Sequence, residues 1–146
     1  MNHNNETSFK NNKEDKQFSQ WKKRVACFRF IYSSLVMNWS DAEIKTEFQA
    51  DFAKSSDNFT NKVIAFFIKN KNQIAFKINS LLKEEWSYDR LNLVDVAILM
   101  EAVCEFFAHK IDRKIIIDQA IITAKKYSEQ KAYKFINYLL DKLLVE

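Results

Sequence analysis

Asn92-Leu-Val-Asp-Val-Ala-Ile-Leu-Met-Glu-Ala-Val-Cys-Glu-Phe-Phe107 is the stretch on which the fold turns. Asn92 reads as an N-cap, and Asp95 sits in the first turn, where a carboxylate complements the helix dipole. From Leu93 to Phe107 apolar side chains occupy most of the circumference rather than one stripe. A helix of that kind belongs at the centre of a bundle. It needs neighbours with one apolar face each, and the flanking sequence supplies them.

Downstream, Asp112 caps a helix over about Arg113 to Tyr127. Ser128 then opens a last helix, about Glu129 to Val145, with Ala132, Phe135, Ile136, Leu139, Leu140 and Leu143 inward. Upstream, Ser87 to Arg90 forms a loop. Before it a helical stretch runs from about Phe59 to Trp86, with Val63, Phe67, Ile74, Ile78 and Leu81 on one face, and the polar run Lys69 to Gln73 marks where it would divide in two. Ser40-Asp-Ala-Glu43 is a capping box, followed by Ile44, Phe48 and Phe52 at steps of four. Trp21, Val25, Phe28, Tyr32 and Leu35 place one face of a first helix inward. Lys22 and Arg29 share one flank of that face, and Arg24 lies on the other. The expected architecture is all-α, about six or seven helices in two small subdomains. It occupies 18–146 behind a disordered tail, 1–17, that is rich in Asn and carries Lys10, Lys13 and Lys16.

Composition agrees. The 146 residues are 47% hydrophobic, and 13 Phe, 5 Tyr and 3 Trp provide bulk for a core. At this length a chain buries roughly 68–70% of its unfolded surface, so no disulfide or metal is needed. Gly and Pro are both absent. Tight hairpins lose their preferred residues, and any position with positive φ falls to Asn, Asp or a similar residue at a steric cost. Cys27 and Cys104 lie within apolar helical stretches and read as small buried hydrophobes. The formal charge of +4 is a mild pointer to an acidic partner. The polar start lacks a signal-peptide pattern, and no apolar run approaches the ~20 residues that span a membrane. The expected location is the cytoplasm, with no membrane association.

Several chemistries are excluded outright. Phosphate-binding loops, dinucleotide-binding turns and the G-x-S-x-G nucleophile elbow all require Gly. His3 and His109 form no metal-ligand spacing with each other or with the cysteines, so no metal or cofactor is expected. Glu84, Glu85, Asp89, Asp95, Glu101 and Glu105 read as solvated helix faces and caps. The chain is expected to bind rather than to catalyse.

Lys114-Ile-Ile-Ile-Asp-Gln-Ala-Ile-Ile-Thr-Ala-Lys-Lys-Tyr127 and Lys134-Phe-Ile-Asn-Tyr-Leu-Leu-Asp-Lys142 resemble the NusB transcription antitermination family, whose pattern is K-V-A-I-N-E-A-I-E-L-A-K-x-F-G and then K-F-V-N-G-V-L-D-K. Trp86-x-x-x-Arg90-Leu, Asp95-Val-Ala-Ile-Leu and Glu105 look like its middle motif. Lys22-Lys-Arg-Val-Ala-Cys-Phe-Arg-Phe-Ile-Tyr32 is similar to its arginine-rich first helix. The likeness covers about Trp21 to Leu143.

The resemblance implies a protein that binds boxA-type single-stranded RNA of ribosomal RNA transcripts together with the ribosomal protein NusE. Both would act in an antitermination complex on RNA polymerase. Lys22, Arg24, Arg29 and Tyr32 of the first helix, with Lys134 and Phe135 of the last, match the RNA-facing positions. Arg29 stands where the family has Gln. Asp95 and Glu105 match acidic positions of the NusE-binding face. Some members self-associate through that face, so a homodimer is the other assembly the resemblance allows. Val96 and Met100 replace family arginines, Ser128 and Tyr138 replace glycines, and Lys131 replaces an acidic residue. These departures leave a second reading open, a protein-interaction module of the same fold without specific RNA readout. A similar helical domain begins an rRNA cytosine-methyltransferase family, but with the sequence closing at Glu146 no methyl transfer is expected. Each residue also has a plainer reading. Packing accounts for Tyr32 and Phe135, solvation for Lys22, Arg24 and Lys134, and capping for Asp95.

Overall fold

The structure, a computed structural model, describes the backbone of residues 3–55, 57–84 and 86–146 and most side chains from Gln20 onward. Its helices are α1 (His3–Val36), α2 (Asp41–Glu47), α3 (Ala53–Ser55), α4 (Asn58–Ser80), α5 (Leu93–His109), α6 (Arg113–Tyr127) and α7 (Ala132–Leu143), with a π turn at Phe48–Phe52 and a 3₁₀ turn at Tyr88–Arg90. Among the described residues there is no strand, and no helix is long and apolar enough to cross a membrane.

The all-α architecture follows from α5. Every residue from Asp95 to Glu105 is buried. The helix packs on α1 and α4 on one side and on α6 and α7 on the other, so a single core joins the two halves. Phe67, Ile78, Ile98, Leu99, Ile116, Ile136 and Leu140 are among its fully buried side chains. Each contributes about 1.5–3 kcal/mol relative to exposure. Cys27 and Cys104 are buried free thiols within it.

Helix starts obey the expected chemistry. The Ser40 hydroxyl accepts from the Glu43 amide while the Glu43 carboxylate accepts from the Ser40 amide. Asn92 accepts from the Val94 amide and Asp112 from the Lys114 amide. Asp57, just before the helix start expected at Phe59, caps α4 through the Thr60 amide.

Several boundaries differ from expectation. The backbone of α1 is helical from His3, well before the start expected at Phe18, and no Gly or Pro stands there to stop it. The side chains of the segment expected as tail lie outside the described residues. Residues Lys69 to Gln73 leave α4 unbroken, because Ile74 and Ile78 continue the buried face set by Val63 and Phe67. The helix ends at Ser80 instead of near Trp86. The π turn after α2 keeps both Phe48 and Phe52 against Phe30, with ring centroids 6.3 and 5.0 Å away. Positive φ falls on Asn38 (50°), as a chain without Gly requires, and also on Lys110 (53°), the C-cap of α5. A lysine there costs about 1 kcal/mol of backbone strain.

Candidate nucleic-acid interface

The first helix divides its basic residues between two environments. Arg24 points inward, retaining 6% of its surface exposed. Its Nε and Nη2 both donate to Glu105 Oε1, at 2.7 and 2.6 Å, and Glu105 is fully buried. The structure therefore places these two residues together and away from solvent. Arg24, expected at the RNA, and Glu105, expected at a protein partner, pair with each other across the α1–α5 interface, where both are buried. Glu101 is also buried, so it and Glu105 do not belong to the solvated faces on which the sequence placed them. Glu85 lies outside the described residues.

Arg29 and Lys22 are exposed. The Arg29 guanidinium carbon stands 5.7 Å from the Tyr127 ring centroid, and its Nη2 donates to the Tyr127 hydroxyl at 3.2 Å. The ammonium of Lys126 lies 4.9 Å from the Trp21 ring and 5.6 Å from that of Tyr127. Lys125 lies 4.7 Å from Tyr133. Phe28 anchors the arrangement from below, 5.4 Å from Tyr127 and 6.2 Å from Tyr32. Trp21 is tied to α6 by its indole N–H, which donates to Thr123 Oγ1 at 3.3 Å. The result is a ladder of cations over aromatic rings where α1 meets the end of α6, with Lys125 and Tyr133 joining the end of α6 to the start of α7. Such contacts are worth about 0.5–1 kcal/mol each at exposed sites. They also hold long cationic side chains in place before any ligand arrives.

Lys134 and Phe135 lie elsewhere, in a groove of about 720 Å³ between the segment 81–92 and α7. Trp86, Arg90, Lys131 and Tyr138 also line it, and so does Asp95. The structure thus brings Asp95, expected at a protein partner, together with two residues expected at RNA. Asp95 is largely buried and accepts from the Ser128 hydroxyl at 2.5 Å. Burial raises its carboxyl above the ordinary value, Glu129 adds to that, and the Ser128 bond opposes it.

Ser128 is not the cap it resembled, since α7 begins at Ala132 behind Lys131, whose side chain makes no capping bond. Its φ of −111° lies outside the glycine region, so serine is free of strain where the family has glycine. The hydroxyl is free to bond Asp95. Val96 and Met100 are buried, which accounts for apolar residues at those positions. The turn 127–131 is the common edge of both sites. Tyr127 belongs to the ladder, Ser128 holds Asp95, and Glu129 and Lys131 face the groove.

Sequence reasoning missed Trp21, Lys125, Lys126, Tyr127 and Tyr133 as surface residues. The signal present was the interleaving of bases and aromatics in Lys125-Lys126-Tyr127, a pattern suited to nucleic acid. Which face they occupy depends on α6 meeting α1, about a hundred residues away in sequence.

Comparison with known proteins agrees with the all-α fold. The model of the NusB family matches residues 22–144. Transcription antitermination protein NusB of Bacillus mycoides is 27% identical over 121 residues, which span 82% of this chain and 92% of that protein. The protein of the same name from Finegoldia magna is 29% identical over 129 residues, 86% of this chain and 93% of that one. In Borreliella burgdorferi the likeness rises to 43% over 72 residues, about half of each chain. Among solved structures, T. maritima NusB superposes with a TM-score of 0.69 at 26% identity, covering 85% of this chain and 89% of that one. The chain belongs to the NusB family.

Proposed function

We propose that this chain acts in transcription antitermination by binding boxA-type single-stranded RNA together with NusE, as part of a complex on RNA polymerase, with no reaction of its own. The observation that carries the reading is the ladder of Arg29, Lys126 and Lys125 over Tyr127, Trp21 and Tyr133. Cations fixed beside ring faces suit a single strand, whose phosphates need neutralising and whose bases stack on aromatic or guanidinium planes. Lys22 extends this surface along α1, and Tyr32 supports it from the aromatic cluster. Lys134 and Phe135 continue it past the turn 127–131 into the groove, where Asp95 offers a carboxylate to the protein partner.

The protein-interaction reading is favoured by a different observation, the apolar groove with Trp86 and Tyr138 about half exposed, at 55% and 48%. Fluorescence anisotropy with labelled boxA RNA separates the two. Titrations run with and without NusE from the same organism, across a salt series, beside a scrambled RNA. Tighter binding with NusE, weaker binding of the scrambled strand and loss of affinity with salt support RNA recognition. Equal, weak binding of both RNAs with or without NusE sinks it and leaves the protein-interaction reading. Lys22→Ala and Lys134→Ala then test the two ends of the surface.

A further inference from the structure

We propose that Glu101 is a neutral carboxylic acid whose hydroxyl donates to Glu105 Oε2, so that Arg24, Glu105 and Glu101 form a buried, charge-balanced lock of α1 on α5. A proton accounts for the geometry here. Both guanidinium nitrogens bond the same oxygen, Glu105 Oε1. The other oxygen, Oε2, is buried with no protein donor, and the same holds for Glu101 Oε1. Glu101 lies one helical turn before Glu105 on α5, so the two buried side chains are neighbours on one face of the helix. Two ionised carboxylates would point acceptors at each other in an apolar interior, whereas one proton between them supplies the missing donor.

Charge leads to the same place. Arg24 is the cation facing this cluster from α1. The Cys27 and Cys104 thiols are pushed up by burial and stay protonated. From α6 the cluster meets Gln119 and Thr123, both uncharged, in a cavity of about 10 Å³. With both glutamates ionised, one guanidinium would leave a net negative charge in the core, which is costly to bury. With Glu101 neutral the sum is zero. Burial and the adjacent Glu105 hold the Glu101 carboxyl well above its ordinary 4.5.

The sign of the pH dependence follows. Above about 4.5 the unfolded chain releases the Glu101 proton while the folded chain keeps it, so stability falls as pH rises toward the folded value. Glu101→Gln retains a neutral donor for Glu105 and removes that slope. Its Tm is therefore expected to gain on wild type by roughly 3 °C per pH unit through this window. The infrared spectrum of the wild-type protein at neutral pH should show a protonated-carboxyl C=O stretch. That band should shift on labelling with ¹³C-glutamate and be missing in Glu101→Gln. A Tm difference independent of pH, together with no glutamate band of that kind, overturns the proposal. If Glu101→Gln does not fold, the isotope-labelled wild-type spectrum decides alone. The lock is independent of what α1 binds, so a failure of RNA binding leaves it standing.

Discussion

Arg24 and Arg29 stand on the same helix, five positions apart, and meet opposite surroundings. Arg24 is sealed between α1 and α5 with two carboxyl groups, and Arg29 lies over Tyr127 in solvent. The difference is set by the neighbouring helix. α5 presents Glu105 and Glu101 on the face that α1 covers, whereas the end of α6 presents Tyr127 and Lys126 at its margin. The helix thus divides into a buried side that fixes its position and a side that stays at the surface. Of the two arginines, only Arg29 is left at the surface.

The sharpest way to break this contrast is Glu105→Ala, which strands the Arg24 guanidinium in the core. A loss of about 3–5 kcal/mol is expected in urea denaturation, less whatever compensation Glu101 supplies by ionising beside Arg24. Ser128→Ala removes the hydroxyl that donates to Asp95. It should cost about 1 kcal/mol. It should also raise the Asp95 carboxyl further, which an NMR titration would register, because the Ser128 bond is the one holding it down. Arg29→Ala is expected to change stability by no more than about 1 kcal/mol, since Arg29 itself is exposed to water. A loss as large as that of Glu105→Ala would erase the distinction between the two sides of α1.

The smallest effect concerns Asp57, the cap of α4. Desolvation would raise its carboxyl, but the Lys23 ammonium and the Thr60 hydrogen bonds outweigh it and hold the group down at about 2. Its contribution is present above the ordinary 3.8 and is lost as pH falls toward about 2. Asp57→Asn keeps the cap and removes the charge. The acid limb of the Tm curve should flatten by roughly a few tenths of a kcal/mol, because the pair is well exposed to solvent.

Much of the fold was legible because it rests on local rules. Apolar residues around the whole of α5 predict a central helix, and Ser40, Asn92 and Asp112 announce helix starts through chemistry contained within a few residues. The site was legible only in part. Lys22 and Arg29 are exposed as expected, but Arg24 and Glu105 are buried because they face each other, a pairing made across 81 residues by the docking of α1 on α5. No periodicity reveals that a helical margin on one element will meet a carboxylate on another. The π turn is similarly invisible, since Phe48 and Phe52 keep the spacing of an ordinary helix while the demand comes from Phe30. Ser128 has the chemistry of a cap, and tertiary placement beside Asp95 gave it another partner.

The most direct test of the division within α1 is the salt dependence of boxA RNA binding in the presence of NusE, for wild type and for the double variant Arg29→Ala/Lys126→Ala. If the exposed ladder holds the strand, the variant binds more weakly. The slope of log affinity against log salt becomes shallower by about 0.7 for each phosphate that the variant no longer neutralises. An unchanged affinity and slope in a variant that remains folded would contradict the account, and would place the RNA on another surface.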